Sequence, residues 1–193
     1  DPVTLRHLEI VTGAEGSADG SLLKEIDRTV TSMGARLLRA WLLRPLNAIE
    51  PIRNRLDAVE ELAFQTTARA KFREALKGVH DMERLVGRAA LGTAGPRDLV
   101  SLRQSLMLVP RLKHLLDDCA APLLAGLLAG LDELADVRDD IERTLVDEPP
   151  ALARDGGFTR DGVAADLDAL KQASRSGRQI IAEMENRERE RTG

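Results

Sequence analysis

The chain has 193 residues, a formal charge of −4, and 43% hydrophobic but only 2% aromatic residues, with no Tyr. That apolar fraction excludes global disorder, while scarce aromatics and a mildly acidic balance exclude a base-stacking platform and a basic nucleic-acid field. The core must therefore be aliphatic, and the abundance of Leu, Ala, Arg and Glu, all good helix formers, predicts an all-α fold. The lone cysteine, Cys119, permits no internal disulfide and suits a reducing, cytoplasmic setting.

In chain order, "LRHLEIV" (Leu5 to Val11) alternates apolar and polar residues and predicts a short extended strand. "TGAEGSADGS" then reads as a Gly-rich loop, so residues 1–20 form an extended entry segment and loop. There is no apolar signal segment and no initiator Met, and the far end stops on "RERERTG" in mid-pattern. Both ends are expected to be cuts in a longer chain. Residues 21–146 read as a helical core. Leu22, Leu23 and Ile26 mark a short helix. Thr31 or Ser32 caps the next, which gathers Met33, Leu37, Leu38, Trp41 and Leu42 on one face and ends before Pro45. Trp41 is expected to anchor the core, so that Trp41→Ala costs about 3–5 kcal/mol.

Pro51 opens a helix that aligns Ile52, Leu56, Val59 and Ala63. Further helices carry Phe72 and Leu76, then Met82, Leu85, Val86 and Ala89 after Asp81. Pro96 opens one bearing Leu99, Leu102, Leu106 and Val109, which Pro110 kinks or ends. From Pro122 a long amphipathic run is predicted through Leu127, Leu131, Leu134, Ile141 and Leu145. "DEPPALARDGGFTRDG" (147–162) cannot continue a helix and reads as a structured crossing loop. Residues 163–193 then form one long helix, with Val163, Leu167, Leu170, Ser174, Gly177, Ile181 and Met184 on a seven-residue seam. From Asp166 to Arg191 it spans roughly 39 Å at ~1.5 Å per residue. Ion pairs from Glu183 to Arg187 and from Glu185 to Arg189 are expected to stabilise its end.

No pattern in the chain reads as an active site. His7, His80 and His114 lack the spacing that puts two metal ligands on one helix face. Cys119 follows two aspartates, which raise rather than lower a thiol pKa. "TGAEGSADGS" lacks the GK[ST] ending of a phosphate loop. The adjacent pairs Asp117–Asp118 and Asp139–Asp140 diverge on a helix, whereas acid–base chemistry needs convergence. Arg36, Arg39 and Arg44 suit bonds to carboxylates and helix-end carbonyls, with their stems along apolar surface.

Several stretches, in order, resemble the central region of the MutS family of DNA mismatch-repair ATPases. They are "LRHLEIV", "SLLKEIDRTVTSMGARLLRAWLLRPL", "RNRLDAVEEL", "DMERLVGRAALGTAGPRDLVSLRQSL", "RDGGFTRDG" and "RERERTG". "TSMGARLLRAWLLRPL" is the most specific, and the likeness covers nearly the whole chain. The resemblance implies that Met33, Gly34, Arg36, Leu37, Leu38, Trp41 and Pro45 belong to the hub of a core-and-lever domain. The signature continues in Arg154, Asp155, Gly156 and Gly157, and the last helix is a lever leading toward a DNA clamp outside these residues. For the parent protein it implies ATP and Mg, mismatched double-stranded DNA, a homodimer, a MutL-type partner, nucleoid-associated function and no membrane. No catalytic, cofactor or metal residue carries over, because neither the FxE mismatch reader nor the phosphate loop is matched here. A paralogue acting in recombination control and a free-standing helical adaptor are the rival readings.

Overall fold

The computed structural model describes residues 2–192. Two short helices, α1 (Pro2–His7) and α2 (Leu22–Ile26), precede α3 (Ser32–Leu43). The Thr31 hydroxyl starts α3 by accepting the Gly34 N–H at 3.0 Å, and the helix stops ahead of Pro45. α4 (Ile49–Phe64), α5 (Thr66–Lys77) and α6 (Met82–Ala90) follow. α7 (Pro96–Leu106), α8 (Val109–Leu116) and α9 (Pro122–Gly130) each place a proline in the first turn, where no backbone N–H is needed. α10 (Ala135–Thr144), a 3-10 turn (Ala153–Asp155) and α11 (Ala165–Thr192) complete an all-α chain.

The expected strand is absent: Leu5–His7 are helical, and the chain then reverses through Glu9 at φ +49°. The carbonyls of Glu9 and Ile10 accept the N–H groups of Leu22 and Leu23, tying this reversal to the start of α2. An alternating segment becomes a strand only beside a partner strand, and none lies here. Among the described residues the β pairing is limited to a single antiparallel bridge, Leu145 to Thr159.

Two further boundaries differ from expectation. Met107 and Leu108 form a turn between α7 and α8, so Pro110 falls in the first turn of α8 and breaks nothing. The run from Pro122 is two helices, because Gly130 ends α9 and Leu134 takes a left-handed conformation at φ +45°.

Two aliphatic clusters form the core. Leu85, Leu102, Leu106 and Val109 join α6, α7 and α8, with Ile141 of α10 packed against them. Ala58, Leu116, Ala121 and Leu124 join α4, α8 and α9, covered by Leu62 and Phe72. α7 is the central element: it packs on α6 and α10 and buries Pro96, Val100, Leu102, Arg103, Ser105 and Leu106.

Candidate functional site: the α3–α6 junction and the crossing loop

α3 is held to the body largely by charge. Asp81 caps α6 by accepting the Arg84 N–H, and its carboxylate also takes both ends of the Arg36 guanidinium at 2.7 Å. The Ser32 hydroxyl donates to the same carboxylate at 2.9 Å, and Glu83 takes the remaining edge of Arg36. Arg36 chiefly holds Asp81 far below the usual carboxylate range, with Ser32 and the Arg84 N–H acting in the same direction against burial. Asp81 and Glu83 in turn raise Arg36, whose charge is fixed at any accessible pH. Sequence reading recognised Asp81 only as a helix start. A capping Asp followed two residues later by Glu leaves acceptors free for a cation, and that was the available signal.

The remaining residues of the expected hub do not converge on the core. Met33, Gly34 and Leu38 are half-buried, while Leu37 and Pro45 are exposed. A methyl on Gly34 would sit 3.0 Å from the Thr31 hydroxyl, so glycine lets the cap approach closely. Trp41 is 39% exposed and carries Arg55 of α4 over its ring at 3.6 Å. It is therefore a cation–π platform between α3 and α4 and not the core anchor expected from its place on the apolar face. The expected apolar face of α4 also looks outward, with Leu56 and Val59 exposed and Ala58 buried instead.

The crossing loop is ordered by arginines. Asp147 Oδ1 accepts from Arg103 of α7 at 2.8 Å and from Arg160 at 2.9 Å, and these two cations, Arg103 first, hold its carboxyl low. Arg160 also donates to the carbonyls of Leu145 and Glu142, and Arg97 to that of Pro149. Arg103 is buried with its Nε and Nη1 making no hydrogen bond, so Asp147 is its one side-chain anchor. Arg154 and Asp155 close the 3-10 turn, and Gly156 and Gly157 follow at φ +67° and +73°. Gly156 has ψ −172°, a region that side chains with a Cβ essentially never enter, so the chain can leave the turn only through glycine. The loop then delivers Thr159–Gly162 to the start of α11. That helix roots here, through Lys171 to Thr159 and Asp161.

The reactive candidates are engaged elsewhere. Glu61 of α4 accepts the Ala120 and Ala121 N–H groups at 2.8 and 2.7 Å, capping α9 across the chain, and those bonds lower its pKa. Cys119 is half-buried against the same cluster, and burial pushes its thiol up, with Glu61 and Asp118 adding to the shift. Asp139 pairs with Arg138 and Asp140 with Arg143. Among the described residues no group of His, Cys, Asp or Glu could hold a metal ion. The loop at Gly13–Ser21 turns its amides inward: Gly13 N–H donates to the Ser17 carbonyl and Gly16 N–H to that of Gly13. No helix among the described residues is long and apolar enough to cross a membrane.

The described residues form an all-α scaffold with long-range arginine ties. Residues 3–191 match MutS domain III, and the chain belongs to that family. It is 47% identical across its full length to the DNA mismatch repair protein MutS of Symbiobacterium thermophilum. Similar likeness links it to the proteins of the same name from Methanothrix thermoacetophila, at 44%, and Synechococcus elongatus, at 47%. The chain covers 22% of the first and third relatives and 23% of the second, about a fifth of their length.

Proposed function

We propose that this chain is the core-and-lever part of a MutS-like mismatch-recognition ATPase, coupling an ATP-binding region to a DNA clamp by mechanical displacement. One observation carries the reading: α11 runs 28 residues, roughly 42 Å at ~1.5 Å per residue, from a root at one end. A small rotation at such a root becomes a large displacement at the tip. The names of the relatives favour the repair branch over recombination control. Membership of a family whose curated relatives are about five times longer favours a part of a larger protein over a free-standing adaptor. In this reading ATP with Mg, mismatched duplex, a second copy and a MutL-type partner all engage the parent protein outside these residues, and the protein works in the cytoplasm.

The test uses the 193-residue chain itself. It should hydrolyse no ATP, and matched and mismatched duplexes should bind it equally in an anisotropy titration. Measured turnover, or a clear heteroduplex preference, would place chemistry or recognition inside these residues and overturn the reading.

A further inference from the structure

The side chains of α11 that are shielded from solvent are charged ones, the third shielded position being a glycine. Between Ala165 and Arg191 only Asp168, Lys171 and Gly177 are less than exposed, whereas Leu167, Leu170, Ile180, Ile181 and Met184 stand in solvent. The Lys171 side chain is 20% exposed, and its Nζ donates to the Thr159 carbonyl and to Asp161 Oδ1, each at 2.9 Å. Arg175 approaches the other oxygen of Asp161 at 3.9 Å. Asp168 Oδ2 accepts the Gly162 N–H at 2.8 Å, while its Oδ1, without a hydrogen bond, faces Lys171 Nζ at 3.8 Å.

Interlocked apolar side chains resist rotation by their volume. A ring of charges around one lysine resists it only while those charges attract, and the four-carbon stem lets the headgroup follow a moving partner. Asp161, the anchor shared by Lys171 and Arg175, faces solvent and is open to screening.

We propose that the foot of α11 is an electrostatic hinge centred on Lys171, which fixes the direction of the helix at low ionic strength and releases it at high ionic strength. It concerns α11 and residues 159–162 alone and does not depend on the coupling reading, which a permanently fixed rod would satisfy equally well.

Spin labels at Lys71→Cys on α5 and Glu185→Cys on α11, in a Cys119→Ser background of the full chain, report the direction of α11 as a distance distribution. Glu185 lies about 21 Å beyond Lys171, so a pivot of about 20° moves its label through about 7 Å. The distribution should be narrow at 0.1 M salt, with a screening length of about 10 Å, and wider by about 7 Å at 1 M, where that length is about 3 Å. Lys171→Met should give the wide distribution at both salts, and Asp161→Asn should widen it partly because Lys171 keeps the Thr159 carbonyl. Lys171→Arg should restore the narrow distribution. Equal widths for the parent chain at both salts, or a Lys171→Met distribution as narrow as the parent's, would overturn the hinge. So would widening that only tracks a loss of helicity by far-ultraviolet circular dichroism.

Discussion

The α6–α7–α8–α10 body and the α3 helix carry the same kind of amphipathic pattern, yet one buries its apolar face fully and the other only in part. In the body, Leu85, Leu102, Leu106 and Val109 interlock, and Leu106 is 1% exposed. In α3, Leu37 and Trp41 stay open, and the helix is fastened by Arg36 to Asp81 and Glu83. The lesson is that an apolar stripe states where a helix could pack, while fixed charges can decide where it does. A body held by volume is stiff and indifferent to salt. An attachment held by charge keeps its direction but can yield without unfolding the core.

The largest effect should come from the body. Leu106→Ala removes a fully buried side chain from close packing and should cost about 3–5 kcal/mol in urea unfolding. Trp41→Ala should cost less, about 2 kcal/mol, the sum of a partly exposed cation–π contact and the apolar area that a ring 39% exposed still keeps from water. A loss at Trp41 comparable to that at Leu106 would break the comparison, because α3 would then belong to the core after all.

The starts of α3, α4, α7 and α9 were legible because local signals mark them: the Thr31 cap, and Pro51, Pro96 and Pro122 in first turns; α8 was not, because its first-turn Pro110 reads equally as the end of the helix before it. The crossing loop was legible for the same reason, since Pro-Pro and Gly-Gly exclude a continuing helix. The break at Leu134 was missed although it has local marks, Gly130 at the end of α9 and Asp132, whose carboxylate accepts the Leu134 N–H at 3.0 Å, because the apolar spacing runs on across it. Burial was misread where patterning was the only guide: Leu56, Val59 and Trp41 are spaced like core residues and face solvent. The ties that position the hub and the loop join residues about 45 apart, as in Arg36 to Asp81 and Arg103 to Asp147. Seven-residue and 3.6-residue periodicities carry no information at that range. The tail shows the same on a smaller scale, since Glu183 accepts from Gln179 in place of the expected bond to Arg187.

The smallest effect is one of pH slope. Asp81 has a folded pKa depressed below its ordinary 3.8, chiefly by Arg36. Its contribution to stability is therefore complete above about pH 5 and is lost as pH falls through and below 4 toward the folded value. Glu61, Asp147 and Asp161 are also depressed and give the chain an acid limb of the same sign. Arg36→Met removes the main cause for Asp81 alone while leaving its cap to Arg84 and its bond to Ser32. The urea midpoint of the variant should lie below that of the parent at pH 7, and the gap should narrow as pH falls from 4 toward 2. A gap independent of pH would mean that Arg36 acts through its hydrocarbon stem and not its charge. α3 would then be held by volume like the body, and the distinction between the two regions would fail.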